Sequence, residues 1–292
     1  TPVSDISQQN SINKYYSVNI YANYTKEFSE HYFNILGGYQ QEFNQHNGIR
    51  GYRDNLISDN VLSLNAATGS NLQVFDTQFE WATIGYFGRL NYNYKEKYLL
   101  EFNGRYDGSS RFPEDLRWGF FPSVSAGYTI SKEPFFETLS SIVNFMKFRS
   151  SYGRLGNTNV ANYYQATMSR RTSNFIGPDG QTFLEYVSIP TLGNYNLTWE
   201  KPTTFNIAID LGFFDNKLQT SFDWYRRKTI DMVGPSEPVA SVLGTNVPES
   251  NNTELEGKGW ELSLNYKNNI GSEFNYKVGL NVSRHRETVT KY

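Results

Sequence analysis

There is no cysteine among the 292 residues. Disulfides, thiolate-bound metals and cysteine nucleophiles are excluded together. The compartment stays open, because an exported bacterial protein can lack cysteine too. A cationic surplus is also missing: 27 Lys and Arg against 29 Asp and Glu give a net charge of −2. That argues against a nucleic-acid binder. No apolar run approaches the roughly 18–20 residues of a membrane helix, and the mean hydropathy is −0.59. Hydropathy is nearly blind to a membrane barrel, however, since each strand is only half apolar. No amphipathic helix of useful length is present, which removes an ordinary α/β enzyme. G-x-S-x-G, P-loop and G-x-G-x-x-G elements are absent as well. His31, His46 and His285 are isolated, with no metal-ligand spacing. The sequence therefore predicts no catalytic residue, no metal and no cofactor.

What is plentiful is the aromatic ring, with 22 Tyr and 21 Phe in a 16% aromatic composition. The stretch Tyr98–Ile130 shows how the rings are arranged. Trp118, Phe120, Pro122, Val124, Ala126, Tyr128 and Ile130 alternate with Gly119, Phe121, Ser123, Ser125, Gly127 and Thr129. A period of two over this length is a strand signal, because successive Cβ atoms point to opposite faces. Tyr98, Leu100, Phe102, Gly104 and Tyr106 alternate with Glu101, Asn103 and Arg105 in the preceding arm, with turn residues Asp107–Arg111 and Pro113–Arg117 between.

The same pattern recurs along the chain. Strands are expected near 11–23, 31–43, 77–94, 98–106, 118–130, 145–152, 205–211, 218–227, 260–266 and 274–283, about ten in all. Pro134 should break any strand in Ser131–Asn144, leaving room for a turn of helix. The links alternate in length. Those near 24–30, 95–97, 212–217 and 268–271 are short, and Asn44–Asp76, Gly153–Thr204 and Lys228–Gly257 are long. In an up-and-down antiparallel arrangement, short links then gather at one end and long ones at the other, as in outer-membrane barrels.

A soluble β-sandwich also alternates, and a cell-surface carbohydrate-binding sandwich with no transport role is the alternative reading. Three features favour the barrel. The strands exceed the usual five or six residues. The polar face is rich in Asn, Ser, Gly and Thr, where a sandwich exterior carries more Lys and Glu. Rings recur near strand ends, where aromatic girdles sit. Lys147, Arg149 and Arg105 then line a hydrated lumen, where a charge costs little. The acid pairs Glu114-Asp115 and Glu254/Glu256 read as solvated loop residues.

The motifs name a family. Tyr98-Leu-Leu, Arg105-Tyr-Asp-Gly-Ser-Ser-Arg-Phe112 and Arg117-Trp-Gly-Phe-Phe-Pro-Ser-Val-Ser-Ala-Gly127 resemble the central barrel signature of SusC/RagA-type TonB-linked outer-membrane transporters. Ile130–Phe136, Met146–Gly153 with Gly156-Asn157, Leu197-Thr-Trp-Glu200, Phe222–Tyr225 with Thr229, Asp231 and Met232, and Glu256–Leu262 resemble further segments in family order. Residues 1–76 resemble the family in character only.

The resemblance implies an all-β, antiparallel up-and-down transmembrane β-barrel of the 22-stranded, plugged class. Residues 1–292 would form part of its barrel domain, with the plug domain and remaining strands lying outside. That fits a chain beginning at Thr1-Pro-Val-Ser and stopping in charged sequence at Arg284–Tyr292. A half-barrel with two open edges should not be stable alone. The implied function is active import of oligosaccharides or peptides across the outer membrane of a Gram-negative bacterium, without covalent chemistry. Implied partners are the TonB complex, a SusD-like surface lipoprotein, outer-membrane lipid and the imported ligand. Ligand contacts are expected from loop rings and hydrogen-bonding side chains: Tyr52, Arg53, Tyr163, Tyr164, Arg170, Arg171 and Trp199. Asp107, Gly108, Ser109, Ser110, Arg111, Phe112, Trp118, Gly119 and Pro122 are expected to be architectural, with Arg111 paired to Asp107.

Overall fold

The computed structural model describes residues 4–158, 170–178, 183–187, 193–235, 240, 247–271 and 273–292, with backbone alone at 170–176 and 183–187. The strands are β1 (Asp5–Phe28), β2 (His31–Asp54), β3 (Leu72–Tyr94), β4 (Tyr98–Ser109), β5 (Trp118–Thr129), β6 (Val143–Arg154), β7 (Arg170–Ile176), β8 (Phe183–Val187), β9 (Lys201–Phe213), β10 (Leu218–Gly234), β11 (Ser250–Ile270) and β12 (Phe274–Lys291). Ten of them form one sheet in the order β1-β2-β3-β4-β5-β6-β9-β10-β11-β12, and β7 and β8 pair as a separate ribbon. Among the described residues no second sheet lies across the ten strands, so the sandwich alternative is set aside.

Two compact units share these strands. Thr1–Ile20 with Gln40–Ile84 make the first, and Tyr21–Tyr39 with Gly85–Tyr292 the second. In the first, the loop 55–71 holds a 3₁₀ turn at Leu64–Ala66, and rings pair between strands as Tyr16–Phe43 and His46–Phe79.

The larger unit settles which solvent each face meets. In the β4–β5 register, Tyr98 opposes Tyr128, Leu100 opposes Ala126, Phe102 opposes Val124 and Tyr106 opposes Phe120. On the other face Glu101 opposes Ser125 and Asn103 opposes Ser123. The apolar positions are the exposed ones: Phe102 is 46% and Phe120 58% accessible. Glu101, Asn103, Ser123 and Ser125 are partly covered. A water-soluble sheet does the opposite, so the apolar face is built for lipid and the polar one for a lumen.

Short links lie at one end of the larger unit and cross-brace one another. Lys95 and Glu96 both have positive φ, 55° and 53°, the geometry of a two-residue hairpin turn that usually takes Asn-Gly. Ion pairs hold this turn: Lys95 to Glu30 at 2.9 Å, and Lys132 to Glu96. Glu133 accepts hydrogen bonds from Lys97 (3.1 Å), Tyr98 (2.9 Å) and Tyr128 (3.2 Å). The Lys97 bond, then that from Tyr98, holds the Glu133 carboxyl below its ordinary range. The link 130–142 forms two 3₁₀ segments, Ile130–Lys132 and Pro134–Leu139, so the expected helical turn is present in its tighter form. This link departs from the strict short–long rule, being longer than the β4–β5 tip on the opposite side.

Three expected loops are shorter than their polar composition suggests. Asn44–Asp54 continues β2 and Leu72–Asp76 opens β3, leaving 55–71 as the loop. Lys228–Gly234 extends β10 and Ser250–Gly257 begins β11. Gly153–Thr204 holds the ribbon β7–β8. Polar residues are not strand breakers, and a ladder persists wherever a neighbour supplies backbone partners.

Candidate functional site

The polar face of the larger unit carries fixed charges in mutual contact. Arg149 on β6 donates to both carboxylate oxygens of Asp210 on β9, at 2.6 and 2.9 Å. Its second contact is Asp223 on β10, at 3.5 Å. Ser221 bridges the two acids at 2.8 and 3.0 Å. These side chains share a face because β6, β9 and β10 are in register: Arg149 opposes Ala208, and Asp210 opposes Ser221. A hollow of about 580 Å³ lies over this face, lined by Asn91, Glu101, Ser125, Lys147, Arg149 and Asn206 among others. A second, of about 550 Å³, is lined by Arg89, Asn103, Arg105, Asp107 and Phe121. Among the described residues no cluster of His, Asp and Glu has the composition of a metal site.

Towards the long-loop end the same face becomes apolar at one place. Phe112 (0% exposed), Phe121, Leu197 and Trp199 form a buried cluster, with Val233 against it. The Trp199 ring centre lies 5.1 Å from Phe112 and 5.0 Å from Phe121. Its indole N–H donates to the Arg117 carbonyl at 3.0 Å. A Cβ on Gly119 or on Gly156 would run into the Phe121 ring, so both glycines are close-approach positions.

Polar bonds lock this cluster across the chain. Glu200 accepts from the Asn157 amide side chain (2.6 Å) and from the Val233 backbone (3.0 Å). Asn157 and Glu200 also bridge through the backbone at 3.0 Å. Asn251 accepts from the Thr198 N–H at 2.9 Å and donates to the Asp231 carbonyl at 2.6 Å. Lys201 pairs with Asp231 at 2.8 Å. Three connections, 110–117, 155–200 and 235–249, are thereby tied at their bases, together with the start of β5. We call this arrangement the latch.

The expected site residues divide accordingly. Trp199, expected among ligand-facing rings, is 4% exposed and committed to the latch. Tyr52 and Arg53 lie in β2 rather than in a loop, and Arg53 donates to the Gly69 carbonyl at 3.1 Å. Arg170 and Arg171 open β7, a segment described in backbone alone. Tyr163 and Tyr164 fall outside the described residues.

The architectural set fares differently. Ser109 and Phe112 are fully buried, and Tyr106 stacks on Trp118 at 4.9 Å. Asp107 takes Arg105 at 2.9 Å rather than Arg111. Arg105 is two residues earlier on the same strand, so its side chain already lies on the same face. Arg111 instead donates to the Thr158 carbonyl at 3.2 Å, and burial holds its guanidinium below the usual value. Missed by sequence reasoning were Asn157, Glu200, Asp231 and Asn251. The signal for Asn157, Glu200 and Asp231 was membership of the Gly156-Asn157, Leu197–Glu200 and Phe222–Met232 motifs, and Asn251 had none.

Comparison with known proteins agrees with this wall. The family described as TonB dependent receptor-like, beta-barrel matches residues 2–291. The TonB-dependent receptor SusC of Bacteroides thetaiotaomicron is 32% identical over 286 residues, covering 94% of this chain and 27% of SusC. TonB-dependent receptor P3 of Formosa agariphila is 32% identical over 272 residues, 93% of this chain and 27% of that protein. Among solved structures, the RagAB peptide importer in its closed-closed state superposes with a TM-score of 0.85 at 25% identity, over 100% of this chain and 32% of that one. The chain therefore spans about a quarter to a third of the length of these relatives. Its lipid-suited outer face and this kinship put the strands in the outer membrane of a Gram-negative bacterium. The chain belongs to the TonB-dependent receptor β-barrel family.

Proposed function

We propose that the intact protein actively imports oligosaccharides or peptides across the outer membrane, and that this chain supplies part of its barrel wall and extracellular loops. The observation that carries the reading is the inverted sheet, with rings towards lipid and the Arg149–Asp210–Asp223 network towards the lumen. Fixed charges at a hydrated wall provide hydrogen-bonding sites for a polar solute without a catalytic constellation. Residues 1–292 lie wholly within the barrel domain in this reading, and a plug is supplied elsewhere in the intact chain. Energy comes from the inner membrane through TonB, and a SusD-like lipoprotein closes the ligand site from outside. Support for that partnership is the likeness to SusC and to RagAB, the latter titled a peptide importer.

Ligand contacts fall to the long loops and their flanking strands: Tyr52, Arg53, Tyr163, Tyr164, Arg170 and Arg171. Trp199 holds the base on which those loops stand. The test is uptake of labelled oligosaccharides and peptides by cells carrying the full-length receptor, with and without TonB. Uptake of one class should disappear on TonB deletion. Uptake that survives deletion would make the protein a passive pore.

A further inference from the structure

The outward face of β10–β12 ends in a band of cations. From the short-link end, register places Thr220, Leu264 and Leu280 in one row, then Phe222, Leu262 and Val282, then Trp224, Trp260 and Arg284. The next row on the same face is Arg226, Lys258 and Arg286, followed by Lys228, Glu256 and Thr288. From Tyr276 to Arg284 the strand runs about the nine to eleven residues of a tilted crossing. The paired tryptophans mark the interface at that depth. Arg284, Arg286, Arg226 and Lys258 therefore stand at the level of lipid headgroups on the long-loop side.

Among the described residues, the charges on this face do not cancel. Glu256 is already taken by Arg226 (2.8 and 3.3 Å) and Lys258 (2.6 Å). Glu254 is taken by Lys228 at 2.8 Å. Among the described residues, Arg284 and Arg286 have no ion-pair partner. A guanidinium fork beside an ammonium suits a phosphate better than a second carboxylate, because it offers parallel donors to a multi-oxygen anion.

We propose that Arg226, Lys258, Arg284 and Arg286 bind the phosphate of an anionic lipid headgroup in the outer leaflet. The site continues the lipid-facing belt directly, so its occupant is a lipid rather than a solute. It rests on the reading that the outer face of these strands meets the bilayer.

The experiment uses the full-length receptor in detergent micelles, with lipid retention followed by native mass spectrometry. The probes are bis-phosphorylated lipid A and the same lipid with its phosphates removed. Wild type should retain the phosphorylated form, and the R284Q/R286Q variant should retain it more than tenfold less tightly. Adding R226Q and K258Q should abolish retention. A K267Q/K277Q control, with the same charge change near the short-link end, should leave retention unchanged. Each variant is checked for the heat-modifiable gel shift of a closed barrel, and the conservative R286K keeps the test alive if a multiple variant fails to fold. Equal retention of the dephosphorylated lipid, or unchanged retention by R284Q/R286Q, overturns the proposal. Displacement of lipid A by millimolar inorganic phosphate would reassign the site to a free anion and also overturn it. Absence of the gel shift in wild type would instead defeat the barrel reading.

Discussion

A single ring does much of the work at the long-loop end. Trp199 fills the space between Phe112 and Phe121 and satisfies the Arg117 carbonyl. Trp199→Ala opens a cavity in that cluster and should cost about 3–5 kcal/mol. It is expected to lower the temperature at which the full-length receptor loses its heat-modifiable shift. Trp199→Phe keeps a ring but removes one of the two hydrogen bonds that the Arg117 carbonyl accepts, the other coming from the Ser109 N–H, at roughly 0.5–1.5 kcal/mol. Glu133 offers a second test. Its pKa is depressed in the folded protein, so its stabilising bonds exist above the ordinary carboxyl value of 4.5. They are lost as pH falls through the depressed value. Glu133→Gln should therefore be less stable than wild type at neutral pH in urea unfolding, and the difference should vanish under acid conditions. A gap that widens on acidification would refute this assignment of the short-link rim.

Individual strands were legible in sequence to an unequal degree. The Tyr98–Thr129 hairpin was readable outright, since rings and small polar residues alternate without a break on both arms. The ends of β2, β10 and β11 were not, because Asn44–Asp54 and Ser250–Gly257 lack the apolar face on which periodicity depends. What keeps them extended is a neighbouring strand, a long-range cause that composition does not record. The same holds for Trp199, whose partner Arg117 lies 82 residues away. Seen alone, a loop tryptophan beside a polar stretch reads as a stacking platform. Alternation itself supplies a sharp check on one strand. Val124→Arg, at the centre of the lipid belt, should destabilise the barrel by roughly 2–4 kcal/mol. Ser125→Arg points into the hydrated lumen and should change stability little. Chemical denaturation of both variants in the same micelles distinguishes them, and equal losses would mean that the faces are assigned wrongly.

In the larger unit most large hydrophobic side chains of the sheet are exposed on its outer face, and the apolar cluster buried among the described residues is the small one of Phe112, Phe121, Leu197 and Trp199. In the described residues β1 and β12 each have a strand partner on one side only. Their free edges expose backbone N–H and C=O groups that a bilayer cannot satisfy. Expressed without other segments, residues 1–292 should not give a compact heat-modifiable monomer in micelles, whereas the full-length receptor should. Recovery of such a monomer would show that this sheet closes on itself.

The latch has a consequence for how such a wall can change over time. It fastens the loops at Asn157, Glu200, Asp231 and Asn251. Exchanging the segment between Asn157 and Leu197 for that of a related receptor is therefore expected to leave the register of the wall unchanged. The junctions for swapping recognition loops between related receptors are thereby marked in the molecule itself.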